Sequence, residues 1–518
     1  MTGPDVMTSC AAVVASLGAL ARVPTHRRAR QAGALLLLLG WIGLLVGIAP
    51  ESVRDQWIVA APSLAVLVAL GWLVAGRLVG RERWLVAVGG FVLAIRVPVP
   101  TGDGTAMLLA PLYVVIALGA LVLLRGELAR SDTLEDRGGA TRLLDVGSAA
   151  LPIIATLSLT WSIDRPASAE TLGFFLVPFV LAYALVRSWA ERGVDLRGGV
   201  IGFVSATLVA ALVGLYQAVT YQVWWNPKVV DANRFRPDFR TNSIFWDPNI
   251  YGRVLVLGSL AVLAWLLATG PGRRATIAGC VSLVVLLTAL WHTYSQSSWF
   301  ALAGALIILG VLTTPPRPRR LLGTLLVIVV VVGVPFAASS LGGGSDAAGR
   351  EQVVQTGISL AGEKPVLGWG MGAFETAARA RAFEQGDRTG GLTASHTTPV
   401  TVLAELGVLG MVAYLTLLAS AAVAVLARWR RSSTPAAAAR ARGDLGAMNL
   451  TGWPIAPIIW ATGVFVALLA HSLLYAGFFE DPALWVALAL LASLPVVGPD
   501  VGTVTGTNTD TEIASGPD

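Results

Sequence analysis

The sequence predicts an all-α membrane protein: a polytopic bundle of about 14 transmembrane helices, in a range of roughly 12–15, with two outer polar loops. Of its 518 residues, 55% are hydrophobic and 13% are charged, and the mean hydropathy is +0.71. A chain of this composition cannot fold around a single water-facing surface. Its apolar runs approach the ~20 residues that a spanning helix needs, and basic residues recur at every second loop between them.

Long apolar runs define the spans and exclude a barrel, whose strands need only about 10 residues. A weaker apolar segment at 8–23 is either a further span or a surface helix, because polar residues dilute it. No cationic region precedes its apolar run, so it does not read as a cleaved signal. The predicted spans are approximately 31–49, 56–76, 84–97, 106–124, 145–163, 170–187, 199–219, 248–269, 275–291, 299–314, 321–340, 398–427, 453–475 and 480–498.

The positions of the arginines predict which loops face the cytoplasm, because short basic loops resist translocation. The basic loops are 26–30, 77–83, 125–142, 187–197, 273–274, 317–320 and 428–442. The alternate loops then face outward, and they are 50–55, 98–105, 164–169, 220–247, 292–298, 341–397 and 478–481. Both long polar loops therefore fall on the extracytoplasmic side of the cell membrane.

These polar stretches divide the chain into five parts. The N-terminal spans occupy 1–198, and a core at 199–427 carries the outer loops 220–247 and 341–397. A cytoplasmic linker at 428–452, C-terminal spans at 453–498 and a Thr/Gly/Asp-rich tail at 499–518, predicted to be disordered, complete the chain. The second outer loop is predicted to carry short surface helices near 351–361 and 374–384.

Composition also narrows the classes of partner. The net charge of +6 is spread over the predicted cytoplasmic loops, which indicates membrane topology and contact with anionic lipids rather than nucleic acid. Cys10 and Cys280 both sit in apolar segments, so neither a disulfide framework nor a cysteine metal site is expected. No close spacing of His, Cys and carboxylate residues suggests a zinc site, and the sequence points to no cofactor.

The first outer loop concentrates arginines next to the start of a helix. Arg253 lies inside the apolar run that begins at Pro248, where a charge is costly unless it reaches the surface, pairs or meets an anion. Asp247 is either an N-cap of that helix or a site residue. Guanidinium groups match phosphate oxygens bidentately, so a diphosphate would suit a pocket formed with the loop arginines Arg234, Arg236 and Arg240.

The second outer loop carries a histidine before another apolar helix. His396 is either a general base or a cap of the helix that starts near Thr397. Glu405, about two turns into that helix, is either an acid/base group or, as we favour, the ion-pair partner of an arginine. The glycine-rich segment 365–374 is either a phosphate-binding nest or a tight turn between two surface helices.

Several segments together resemble the O-antigen ligase and polymerase family. In chain order they are 240–249 (RTNSIFWDPN), 294–298 (YSQSS), Arg350, 365–374 (PVLGWGMGAF), His396 and 403–410 (LAELGVLG). Their order, their spacing and the outward placement of both loops carry the resemblance, which covers about residues 200–427. Two positions depart from the family pattern, since Ser298 stands where members have arginine and Thr397 where they have asparagine.

The resemblance implies a glycosyltransferase of the cell envelope, a ligase or polymerase of polysaccharide biosynthesis. Such enzymes take a glycan from a polyprenyl-diphosphate carrier such as undecaprenyl diphosphate and join it to a glycan, lipid or protein acceptor. It implies that Arg240, Arg253 and Arg350 hold the diphosphate and that His396 is central to transfer. The remaining candidate substrate-binding residues are Arg236, Asp247, Asn249 and Glu405.

Such a transfer has clear chemical requirements. Positioned arginines can stabilise a diphosphate leaving group without a metal, and a histidine near the acceptor hydroxyl can act as general base. Direct attack by one acceptor inverts the anomeric configuration. The alternative is a flippase or other transporter, which predicts paired broken helices in two related halves. We find no internal repeat in the sequence, and its polar residues concentrate in two outer loops.

Overall fold

The computed structural model describes residues 3–23, 27–51, 56–101, 104–127, 139–224, 226–235, 238–313, 345–384, 397–432, 455–475 and 477–493. The first helices are α1 Gly3–Ala21, α2 Arg27–Ile48, α3 Trp57–Leu78, α4 Glu82–Leu93, α5 Ala110–Glu127, α6 Gly139–Ser158 and α7 Arg165–Glu191. They are followed by α8 Arg197–Thr220, α9 Pro227–Phe235, α10 Pro248–Thr269, α11 Arg273–Trp291 and α12 Gln296–Thr313. The last are α13 Ser345–Glu363, α14 Phe374–Glu384, α15 Thr398–Ser432, α16 Ile455–Ser472 and α17 Pro482–Ser493.

The helices confirm the predicted fold class. Eight of the described helices are long and apolar enough to cross a membrane, namely α2, α3, α6, α7, α8, α10, α11 and α15. Within the described part, α1, α5, α12, α16 and α17 are apolar but shorter. The chain is therefore a multi-pass helical membrane protein. The predicted span at 321–340 lies outside the described residues, so the count of about 14 spans stays a prediction.

One local prediction is wrong. The expected span at 84–97 ends as a helix at Leu93, and a short antiparallel hairpin follows, with β1 Val97–Thr101 paired to β2 Gly104–Leu108. Pro98 and Pro100 explain the difference, because proline lacks the N–H that a continuing helix would need. Most of the hairpin falls in the predicted loop 98–105, and hydropathy did not indicate that this loop would form paired strands.

Short helix α17 lies in the interior of the bundle. Its residues Leu484, Trp485 and Leu488 have no accessible surface, and the helix packs against α7 and α16. Asp481 precedes it and accepts a hydrogen bond from the backbone N–H of Ala483 at 2.9 Å, as an N-cap does. The start of α17 therefore brings a buried carboxylate into the protein.

A buried ionic network ties several helices together near the C-terminal end of α7. Arg187 lies 2.8 Å from Asp145 and 3.2 Å from Glu191, and the Tyr183 hydroxyl donates to Asp145 at 3.0 Å. The guanidinium of Arg22 stands 4.4 Å from the centre of the Tyr183 ring. Because buried charges need close partners, this network has a structural explanation. The candidate site described next contacts the opposite, N-terminal end of α7.

Candidate functional site

The N-terminus of α10 anchors the site. Asp247 accepts a hydrogen bond from the backbone N–H of Asn249 at 2.6 Å, and Pro248 occupies the first helical position. The structure thus gives Asp247 the N-cap role that the sequence left open. The partial positive charge of this helix end favours an anion nearby.

Arg240 lies beside the same helix end. Its Nε donates to the carbonyl of Thr293 at 2.9 Å, and its Nη2 donates to Asn249 Oδ1 at 3.4 Å. Two hydrogen bonds with Asn233, of 3.0 and 2.9 Å, fix the backbone of Arg240. The loop before α10 therefore presents this half-buried guanidinium in a defined position next to that helix.

Arg253 is buried one to two turns into α10 and is paired. Its Nε lies 2.9 Å from Asp481 Oδ2, and its Nη1 donates to the carbonyl of Gly477 at 3.1 Å. Both partners belong to residues 477–481, which we call the acidic link because it ends in Glu480 and Asp481. The buried charge is thus compensated by a segment more than 200 residues away in sequence.

The start of α12 packs directly against α10. Ser298 is fully buried, with its hydroxyl 2.8 Å from that of Ser295 and 3.5 Å from the carbonyl of Asn249. The Ser297 hydroxyl lies 3.2 Å from Nε2 of His471, which is also fully buried. The position where the family pattern has arginine is therefore filled by a hydroxyl that joins two helix N-termini.

Two further groups complete this charged region, and the sequence analysis did not single them out. Burial raises the pKa of the Tyr475 hydroxyl, and Asp247, Arg253 and Glu480 all act on it electrostatically. Burial also lowers the pKa of Arg96, to about 10, with Asp481 and Arg253 the next influences. Arg96 therefore remains protonated at neutral pH and adds a third guanidinium to the region.

We call Arg96, Arg240 and Arg253, together with the N-terminus of α10, the cationic region. The guanidinium of Arg96 stands 5.6 Å from the centre of the Phe245 ring, and that ring stacks on Tyr251 of α10 at 5.7 Å. Ring contacts of this kind hold a guanidinium in place. The cationic region is thus built from three separate parts of the chain.

A cavity of about 200 Å³ adjoins the acidic link. The helix starts of α14 and α15 and the glycine-rich segment also line it. Its polar lining residues are Glu375, Glu405, Glu480, Thr171, Thr398 and Thr401. We call it the acidic cavity, since three glutamates line it and none of its lining residues among those that the structure describes is Lys or Arg.

Glu405 is buried in the wall of this cavity. Its carboxylate accepts a hydrogen bond from the backbone N–H of Phe374 at 3.2 Å. Among the side chains that the structure describes, no arginine lies within ion-pair distance of it. The contacts seen for Glu405 thus differ from the ion pair we favoured, because backbone N–H groups of the glycine-rich segment stabilise the carboxylate instead.

The glycine-rich segment is a tight turn packed onto a break in α15. Gly407, with φ 63° and ψ −160°, interrupts that helix. The N–H groups of Trp369 and Gly370 donate to the carbonyls of Ala404 and Glu405, at 3.1 and 2.8 Å. A Cβ at Gly368 (φ 68°) would overlap the backbone of Glu405. Since the protein itself uses these N–H groups, the turn interpretation is favoured over the phosphate nest.

The described part of the structure does not include the side chains of three predicted site residues. His396 and Arg236 lie outside the described residues, and Arg350 lies on α13 with only its backbone described. The structure brings Arg240, Asp247, Asn249 and Arg253 together, and it places Glu405 in the adjoining cavity. In the described part, no group of three or more His, Cys, Asp or Glu side chains could hold a metal ion.

The fold and the site define a polytopic membrane protein with arginines clustered at the ends of its helices. Residues 281–415, from α11 into α15, match the family model described as O-antigen ligase. This match supports assignment of the chain to the O-antigen ligase family, as the sequence motifs indicated. No curated protein matches the chain.

Proposed function

We propose that the protein is a glycosyltransferase of the cell membrane that moves a glycan from a polyprenyl-diphosphate carrier to an acceptor on the extracytoplasmic side. The observation that carries this proposal is the cationic region beside the acidic cavity. Three guanidinium groups and a helix N-terminus suit a diphosphate, because each favours negative charge. The family match, residues 281–415, includes residues that line the acidic cavity. The cationic region lies outside the matched residues, but Thr293 and Ser298, which contact Arg240 and Asn249, lie within them.

In this proposal the cationic region stabilises the leaving group. The acceptor hydroxyl attacks the anomeric carbon as the bond from that carbon to the diphosphate oxygen breaks, and the electron pair passes to that oxygen. Arg240 and Arg253, with Arg350 from α13, offset the developing charge. Asn249 and Asp247 position Arg240 and the helix start, and Arg236 adds charge from the loop.

His396 acts as the general base in this scheme and takes the proton of the acceptor hydroxyl. The sequence connection supports this role, since His396 precedes by two residues Thr398, which lines the acidic cavity. One displacement by one acceptor inverts the anomeric configuration. The scheme uses protein side chains at every step, so we propose a transfer that needs no metal.

The test is transfer by the purified full chain in lipid nanodiscs, with an undecaprenyl-diphosphate-linked oligosaccharide as donor and the same lipid-linked oligosaccharide as acceptor. We expect release of undecaprenyl diphosphate and a longer lipid-linked product, at the same rate with and without EDTA. Loss of activity under EDTA would contradict metal independence. A nanodisc has no separate compartments, so a flippase gives no product there; movement of donor across a vesicle membrane without any transfer would favour the transporter.

A further inference from the structure

The lining of the acidic cavity is partly polar and, in the part of the chain that the structure describes, contains no cationic side chain. Glu405 and Glu480 offer carboxylate oxygens, while Glu375 pairs with Arg379 of the same helix. Threonine hydroxyls and the side chains of Phe374 and Phe478 form the rest of the relevant wall. Carboxyl oxygens accept hydrogen bonds, so the cavity suits a ligand rich in hydroxyl donors, and each carboxylate that is ionised opposes a phosphate.

Glu480 is held at the boundary between the cavity and the cationic region. It retains accessible surface because it faces the cavity, yet burial by the surrounding protein raises its pKa, an effect that Arg253 opposes. Phe478 and Phe479 fix the acidic link, since each ring packs edge-on against Tyr414, at 6.1 and 5.7 Å. The backbone that carries Glu480 is therefore held in place.

An independent observation at the cavity is an unsatisfied hydroxyl. Thr398 lines the cavity and is only 4% exposed. Its Oγ1 is buried and has no hydrogen-bond partner among the residues that the structure describes. A buried polar atom without a partner costs on the order of 1–3 kcal/mol, so a ligand that meets this hydroxyl after a rotation of the Thr398 side chain toward the cavity would be stabilised.

From these features we propose that the acidic cavity binds one uncharged sugar residue of the acceptor, so that the acceptor is a neutral glycan end rather than a phosphorylated one. The volume of about 200 Å³ is below the ~300–1,000 Å³ of drug-sized sites, which suits a single ring. The carboxylates accept hydrogen bonds from the sugar hydroxyls, and the threonine hydroxyls donate or accept them. Phe374 and Phe478 contact the apolar face of the sugar ring. The acceptor role rests on the proposed transferase function.

In this proposal the donor and acceptor sites adjoin at the acidic link. Arg253 donates to the Gly477 carbonyl at 3.1 Å, and Gly477 and Glu480 line the cavity. A Cβ on Gly477 would stand 3.6 Å from Arg253 Nη1 and 3.3 Å from Glu480 Oε2. A donor diphosphate and an acceptor sugar would therefore meet at one fixed segment. Like-charge repulsion keeps the diphosphate out of the cavity, which gives each substrate its own compartment.

The test measures equilibrium binding of neutral methyl hexosides and of glucose 6-phosphate to the full chain in nanodiscs, without donor. We expect at least one hexoside to bind ~10-fold more tightly than the phosphate, because the carboxylates repel a phosphate. Glu480→Gln should weaken hexoside binding by ~10-fold, since hydrogen bonds to charged groups are the stronger ones. The variant should also lower the ratio of hexoside affinity to glucose 6-phosphate affinity. A purely structural role of Glu480 would not change this ratio.

Thr398→Val is the second variant, and it should weaken hexoside binding several-fold. Glu384→Gln, at an exposed position at the end of α14 and outside the cavity, is the matched control and should bind like wild type. The proposal is overturned if no hexoside binds, if the phosphate binds as tightly, or if Glu480→Gln leaves both affinities unchanged. Because this assay needs no catalysis, it separates failure of the sugar site from failure of the transferase proposal.

Discussion

We expect His396→Ala to lower the rate of glycan transfer by ~10²–10⁴-fold, the usual contribution of a positioned general base. Donor binding should be unchanged, because in the proposed scheme His396 acts on the acceptor hydroxyl and the arginines hold the diphosphate. The measurement is single-turnover transfer by the purified variant in nanodiscs, beside direct binding of the undecaprenyl-diphosphate-linked donor.

His292→Ala provides a matched control for that result. His292 lies at the end of α11, and its backbone carbonyl, which the substitution keeps, accepts from the N–H of Thr241 at 3.0 Å. We expect this variant to transfer at the wild-type rate. Full activity in His396→Ala, with the variant folded, would remove the assigned base.

The second large effect concerns the buried pair of Arg253 and Asp481. Asp481→Asn should destabilise the protein by ~3–5 kcal/mol, because it leaves a buried guanidinium without its counter-charge. Asparagine caps a helix as well as aspartate does, so the substitution isolates the loss of charge at the start of α17. The measurement is a large drop in the midpoint of thermal unfolding in detergent.

Two further variants show what the stability of Asp481→Asn means. Asp231→Asn breaks an exposed pair with Arg234 at 3.2 Å and should cost at most ~1 kcal/mol. The double variant Arg253→Met/Asp481→Asn should recover stability, since it removes both buried charges, but it should bind donor weakly. A stable double variant with wild-type donor affinity would limit Arg253 to a structural role.

Hydropathy and the placement of arginines were sufficient to predict the helical fold, because the rules of bilayer insertion act on single segments. They did not predict β1 and β2, most of which lie in the predicted loop 98–105, because pairing between two short strands is not visible in the hydropathy of single segments. The same segment-by-segment reasoning identified Arg253 as unusual, because a charge inside an apolar run is visible without a structure.

The partners of Arg253 could not be found in this way. Asp481 lies in a short segment between two later spans, and the pairing depends on how those spans pack. A signal was present, however, since two adjacent carboxylates in a four-residue link between apolar runs are expensive unless a cation meets them. Arg96 was missed for a similar reason, because an arginine at a span boundary usually marks the edge of the membrane.

The most direct test of the two-compartment account is a steady-state comparison of Arg240→Gln and Glu480→Gln in the same transfer assay. Arg240→Gln should raise the KM for the lipid-linked donor by ~10-fold or more and leave the KM for the acceptor unchanged, since it removes one charge-assisted contact. Glu480→Gln should do the reverse. If both variants change the same KM, or if the wild type transfers no glycan, the account is contradicted.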